Sequence, residues 1–304
     1  MSATISRTMG LAEWLMLLGL SVVWGGSFYF YAVALTELPT FTIVFLRVVI
    51  GTIALWAAVW SMGLAIPRDL TSWRNFLIMG LINNAIPFSL IVWGQHHVAS
   101  GLAAILNATT PFFTLFVANA FTRDEKLSWN RVAGSIIGLA GVTAMMGVDI
   151  LTGLGSALPY EFAIIGAAVA YAFASVFGRR FAQMPPIVTA AGQTTASSLL
   201  LLPLVVVIDA PWHLPIPGAQ VIVAVLGLAL VCTSFAYVLF FTILKRAGAG
   251  NLVLVTFLVP VSAIVLGTLL LGERLGWHHI GGIIAIGVGL ATIDGRLLRR
   301  LERV

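Results

Sequence analysis

Few residues in this chain could do chemistry, and their types and spacing favour holding a ligand over transforming one. Trp24, Ser27, Asn83, Asn84, Thr109, Thr110, Tyr171, Ser175, Ser234, Tyr237 and Thr256 are the polar and aromatic residues near the centres of long apolar runs. A polar group surrounded by hydrocarbon costs free energy unless it faces a bundle interior or water. Ser and Thr hydroxyls often bond their own helix backbone, so each alone is a weak signal. The adjacent amides of Asn83 and Asn84 are a stronger one, because a side-chain amide is less easily satisfied locally; helix–helix hydrogen bonding is their other use. We take Trp24, Ser27, Asn83, Asn84, Thr110, Tyr171, Ser175, Tyr237 and Thr256 as the candidate ligand-binding set.

Catalytic chemistry finds no constellation. The carboxylates Glu13, Glu37, Asp69, Asp124, Glu125, Asp149, Glu161, Asp209, Glu273, Asp294 and Glu302 all map to loops or to the ends of apolar runs. His96, His97, His213, His278 and His279 map to one side, away from the mid-run serines, so a Ser/His hydrolase inside a membrane is not supported. Cys232 is the only cysteine, which excludes an internal disulfide and a cysteine metal site and leaves a small buried side chain. Neither a metal nor a cofactor set is visible. Arg47 is the one charge inside a run. It can snorkel to an interface, pair with a carboxylate such as Glu37, or meet an anionic group on a ligand.

The elements that must position these residues are membrane helices. Of 304 residues, 60% are hydrophobic and 9% charged, too few charges to cover a water-facing surface. Mean hydropathy is +1.05. A spanning helix needs about 20 apolar residues, and such runs fall at about 12–35, 41–63, 74–94, 99–121, 129–148, 159–180, 187–208, 218–244, 250–271 and 277–294. The first is too long for the apolar core of a cleaved signal peptide. Of the sixteen Lys and Arg residues, all but Arg47 and Arg274 fall in loops on one side of this pattern. The positive-inside rule puts that side, and both termini, in the cytoplasm. The net charge of +5 is thus a topology signal, and nucleic acid is not an expected partner. Trp14, Trp73, Trp93, Trp129, Trp212 and Trp277 sit near run ends, as an interfacial aromatic belt requires.

The chain also repeats itself. Residues 129–144, WNRVAGSIIGLAGVTA, align with residues 277–292, WHHIGGIIAIGVGLAT, pairing Trp129 with Trp277, Gly134 with Gly282 and Gly141 with Gly289. DEKL at 124–127 parallels GERL at 272–275, and Pro111 parallels Pro260 with a one-residue gap. The units are 1–150 and 151–304, each with five helices. An odd number forces the second copy to lie upside down relative to the first. Inverted repeats with interrupted helices at matching positions are the mark of an alternating-access carrier. Pro87, Pro111 and Pro260 each remove a backbone hydrogen bond and are the candidate hinges, a static kink being the alternative. Gly134, Gly138, Gly141, Gly282 and Gly289 are spaced for close helix packing, with a dimer seam as the other use. With no carboxylate or His at mid-membrane, a neutral cavity without a carboxylate proton relay is expected.

WGGSFYF at 24–30, then Pro39 and FLR at 45–47, resembles the opening of EamA-type members of the drug/metabolite transporter superfamily. Pro260 through LGERL to Gly282 and Gly289 resembles the closing signature, and Pro111 through DEKL to Gly141 a weaker copy of it. The resemblance covers nearly the whole chain. It implies an all-α membrane protein of ten transmembrane helices in two inverted five-helix repeats, exporting small metabolites from a cavity lined by helices 1, 3, 4, 6, 8 and 9. Within the family the chain is similar to bacterial amino-acid exporters of the YddG type. The second copy departs from the pattern, with Thr194 roughly where Arg47 would recur and Tyr171 in place of the tryptophan. The expectation is a non-enzymatic secondary transporter in the bacterial inner membrane, a monomer or weak homodimer, exporting neutral or aromatic amino acids. Trp24 and Tyr171 would stack on the side chain, while Asn84, Ser175 and Thr110 bond the amino and carboxylate groups. A broad-specificity drug or metabolite efflux carrier is the alternative.

Overall fold

The computed structural model describes residues 9–98, 100–123, 127–146, 154–155, 157–262 and 276–294. Within them the chain is helical, without a strand: α1 (Leu11–Ala34), α2 (Thr40–Ser61), α3 (Leu70–Gly94), α4 (Ser100–Asn107 and Thr110–Phe121), α5 (Trp129–Met146), α6 (Leu158–Phe177), α7 (Pro186–Asp209), α8 (Ala219–Ala247), α9 (Ala249–Ser262) and α10 (Trp277–Asp294). Seven helices among the described residues are long and apolar enough to cross a membrane, and α9 and α10 contain shorter apolar stretches. Hydrocarbon leaves a backbone no water to bond, so long apolar runs fold as helices that satisfy themselves. The expected run at 250–271 lies partly outside the described residues.

Carboxylates sit at helix starts for a physical reason. The first N–H groups of a helix lack partners and carry partial positive charge. Asp69 caps α3 by accepting from Ser72 N at 2.8 Å. Asp209, at the end of α7, accepts from Thr42 N at 2.6 Å and Thr42 Oγ1 at 2.9 Å in the first turn of α2. Glu37 accepts from Gly218 N at 2.6 Å, just before α8, and Glu161 from Gly155 N at 2.8 Å. With Thr40 bonded to His96 at 3.0 Å, these links bring the α1–α2, α3–α4 and α7–α8 junctions to one end of the molecule.

The packing pattern is that of two repeats. α5 lies along α10 and α2 along α7, while α1 packs on α8 as α6 packs on α3. The α5–α10 seam is built of glycine. A Cβ on Gly134 would come within 2.6 Å of the Gly289 carbonyl, and one on Gly289 within 2.7 Å of both the Gly134 carbonyl and Gly138 N. Gly141 meets Ile286 N the same way at 2.8 Å. These glycines therefore serve packing within one chain. At the membrane rim, Trp129 and Trp277 start their helices almost fully exposed, as a belt residue should be.

Several helices depart from uniform α-helix. α3 and α8 pass through π segments at Leu81–Ala85 and Gly227–Phe235. The expected fourth run is not one continuous helix: it breaks at Ala108–Thr109, just ahead of Pro111. α9 turns at 253–254, ahead of Pro260. Pro87 directly follows the π segment of α3.

Candidate functional site

The interruptions surround a cavity. Its wall comprises Trp24, Ser27, Phe28 and Tyr31 of α1, Arg47 of α2, Asn83, Phe88 and Ile91 of α3, Asn107 and Thr110 of α4, Tyr171 and Ser175 of α6, Tyr237 and Phe240 of α8, and the face of α9 from Leu252 to Val259 that includes Thr256. Those are the helices the resemblance implies, with α2 added through a single side chain. Every member of the candidate set except Asn84 lines this space.

Asn84 lies behind the wall. It is fully buried, and both ends of its amide are committed within the protein. Its Nδ2 donates to Ser197 Oγ on α7 at 2.7 Å, and its Oδ1 accepts from the Tyr237 hydroxyl on α8. Asn83 lines the cavity and Asn84 does not; both amides reach α7, and that of Asn84 also meets Tyr237 of α8. Asn84 thus orients Tyr237, which does line the wall. Asn83 Nδ2 donates to Gln193 Oε1 at 3.1 Å.

The hydroxyl residues behave as their chemistry predicts. Thr110 Oγ1 donates to the Asn107 carbonyl at 2.7 Å, Ser175 to the Tyr171 carbonyl at 2.8 Å and Thr256 to the Val253 carbonyl at 2.8 Å. Their protons are spent on backbone, leaving oxygen lone pairs for the cavity. The Thr110 bond has a particular role. Pro111 has no N–H for the carbonyl four residues back, and that carbonyl is Asn107. Pro87 likewise leaves the Asn83 carbonyl, which the Tyr237 hydroxyl approaches at 3.4 Å. The carbonyl that Pro111 leaves is therefore bonded by a cavity-lining side chain. The Asn107 side-chain oxygen, also at the wall, is buried and unpaired.

Arg47 overturns the expectation of a neutral cavity. It is 2% exposed, so it does not snorkel, and Glu37 is engaged elsewhere. Its Nε donates to Thr233 Oγ1 at 2.6 Å, its Nη2 to the Cys232 carbonyl at 2.9 Å and its Nη1 to the Tyr31 hydroxyl. The guanidinium lies 3.9 Å over the Phe88 ring. The Cys232 carbonyl, within the π segment of α8, also accepts from Trp24 Nε1 at 3.2 Å. A π turn shifts carbonyls out of the α register, and here that carbonyl ties α1 and α2 to α8. Gly51 permits the approach, since a Cβ there would stand 3.2 Å from the Ala229 carbonyl.

The sequence reading missed Phe28, Tyr31, Phe88, Asn107 and Phe240 as wall residues. Only Asn107 carried a signal, an amide four residues ahead of a mid-run proline. Trp24 is at the wall, with its ring centroid 5.9 Å from that of Phe240.

Two helical repeats around a buried, partly polar cavity form the architecture of a membrane carrier. The chain belongs to the EamA-like transporter family, whose model matches residues 11–147 and again residues 158–293. It is 24% identical over 279 residues to the uncharacterized transporter YoaV of Bacillus subtilis, covering 90% of this chain and 94% of YoaV. It is 27% identical over 284 residues to the uncharacterized inner membrane transporter YedA of Escherichia coli, covering 91% of this chain and 89% of YedA. A crystal structure of a protein 22% identical in sequence superposes with a TM-score of 0.75, covering 95% of this chain and 99% of that one. This last likeness concerns the fold alone.

Proposed function

We propose that this chain is an alternating-access exporter of neutral or aromatic amino acids in a bacterial inner membrane, with ten spans in two inverted repeats, 1–150 and 151–304. The observation that carries the reading is the composition of the cavity: an aromatic wall of Trp24, Tyr171, Tyr237 and Phe240 meets polar groups at Asn83, Asn107 and Thr110. An apolar or aromatic side chain suits the first. An ammonium suits the unpaired Asn107 oxygen, with help from the Thr110 and Ser175 lone pairs. The inner-membrane location agrees with that of YedA, an inner membrane transporter.

In this state the cavity measures about 70 Å³, room for a few waters. An engineered cavity of about 150 Å³ holds a benzene ring. The lining helices must therefore separate to admit an amino acid, and the interruptions in α3, α4, α8 and α9 are where they would yield. Pro87, Pro111 and Pro260 stand beside or within those segments. No Asp, Glu or His is among the described wall residues. We infer that flux follows the substrate gradient without a carboxylate proton relay.

The test is flux of radiolabelled Phe, Leu, Thr and Lys through purified protein in liposomes, with and without a pH gradient. Saturable, counterflow-sensitive flux of the neutral amino acids, insensitive to the gradient, supports the reading. Uptake driven by a proton gradient removes the uncoupled mechanism. Flux of none of the four moves the substrate to another metabolite or drug class.

A further inference from the structure

Arg47 is a full charge inside a membrane bundle, and its surroundings do not neutralise it. The groups that hold it are a threonine hydroxyl, a tyrosine hydroxyl, a backbone carbonyl and the Phe88 ring. All are neutral. Among the described residues no carboxylate lies within ion-pair distance; the ion pair found there is Arg246 with Glu13, at 3.5 Å. Burying a cation without a counter-charge is among the costliest arrangements available to a membrane protein. A bundle that needed only a strut between α1, α2 and α8 would be served by a neutral hydrogen-bonding side chain.

The geometry also leaves capacity for a ligand. A guanidinium has five N–H groups. The three bonds use Nε–H, one N–H of Nη1 and one of Nη2. One N–H on each terminal nitrogen is left uncommitted to any described residue. The Tyr31 hydroxyl accepts from Arg47 and so keeps its own proton to donate. Both Arg47 and Tyr31 line the cavity. Two terminal N–H groups and an adjacent O–H supply the number of donors that a two-oxygen anion takes up. The three bonds and the Phe88 face hold the guanidinium in place, so little rotamer freedom remains to be lost on binding.

We propose that Arg47, assisted by Tyr31, is the carboxylate-binding group of the cavity and selects substrates that carry a carboxylate over their amine counterparts. This rests on the proposed role of the cavity as the substrate site and deepens it, because it names the substrate group recognised. It does not require the substrate to be an amino acid.

The test is isothermal titration of the full chain in lipid nanodiscs with two matched trios. One is phenylalanine, 3-phenylpropionate and 2-phenylethylamine; the other is leucine, 4-methylpentanoate and 3-methylbutylamine. In the wild-type protein at least one carboxylate is expected to bind about tenfold or more tightly than its matched amine. In Arg47→Gln that preference falls to about twofold or less, and Arg47→Lys, which keeps the charge but not the fork, recovers part of it. If an amine binds as well as its carboxylates, or if neither trio's carboxylates bind, the proposal is overturned. It is also overturned if Arg47→Gln keeps the preference. The wild-type comparison stands even if the variant does not fold. Binding of 3-phenylpropionate or 4-methylpentanoate without the matching amino acid refutes the amino-acid reading and leaves Arg47 in its role.

Discussion

The Tyr237 hydroxyl on α8 donates to the Asn84 side-chain oxygen on α3, so a residue of the second repeat is oriented by a residue of the first beside the cavity. The same hydroxyl stands 3.4 Å from the Asn83 carbonyl that Pro87 leaves without its helical donor. One phenol thus joins the two π-interrupted helices. Removing either partner strands a buried polar group, which costs about 1–3 kcal/mol. Asn84→Leu and Tyr237→Phe should each lower the melting temperature in detergent. The double variant should lose less than the two single losses together, with a coupling of at least about 0.5 kcal/mol. Strict additivity would mean that the pair does not act as a unit.

The glycine seam between α5 and α10 gives a sharper stability contrast. Gly289→Val should destabilise by about 1–3 kcal/mol or abolish folding, because the new Cβ meets backbone, at 2.7 Å from the Gly134 carbonyl. Gly281→Ala on the same helix has nothing within 4 Å and should leave expression and melting unchanged. Thermal unfolding followed by size exclusion separates the two.

Trp24 touches the cavity with its ring and holds the Cys232 carbonyl with its N–H. Trp24→Ala should raise KM for Phe about two- to tenfold, an aromatic contact being worth about 0.5–1.5 kcal/mol beyond burial. The effect on Thr should be smaller. Initial-rate flux in liposomes gives both values, and unchanged KM for Phe would remove the stacking role.

Pro260 lies in α9 beyond the turn at 253–254. If that segment is a hinge, Pro260→Ala restores a backbone donor and stiffens it. Maximal flux should then fall several-fold while equilibrium binding changes by less than about twofold. An unchanged rate at unchanged expression would leave Pro260 as a static kink.

How far the sequence could be read depends on which physical signal each feature leaves. Long apolar runs announce helices because only a self-bonded backbone survives in hydrocarbon, and the observed bounds of α1, α2 and α7 lie within a residue or two of those runs. The matched motifs around Gly134 and Gly289 announced close packing, though not that they would face each other. The π segments left no trace, since Leu81–Ala85 has ordinary helix composition. Asn83 and Asn84 were indistinguishable in sequence because their difference is one helical step, decided by where α7 and α8 lie. Arg47 was visible as a charge inside a span, but its place at the cavity depends on the π segment of α8 delivering the Cys232 carbonyl and Thr233 to it. That is tertiary information.

The most direct measurement of the central claim, that this cavity is the substrate site, is substrate protection of a reporter thiol. Ser175 lines the wall, and Cys232 is the chain's only native thiol. In a Cys232→Ala, Ser175→Cys variant that retains flux, mixed-disulfide formation with a small methanethiosulfonate would be timed over a series of Leu or Phe concentrations spanning KM. Slower labelling at substrate concentrations near KM is the predicted result. Equal labelling rates, in a variant that still transports the same amino acid, would contradict it.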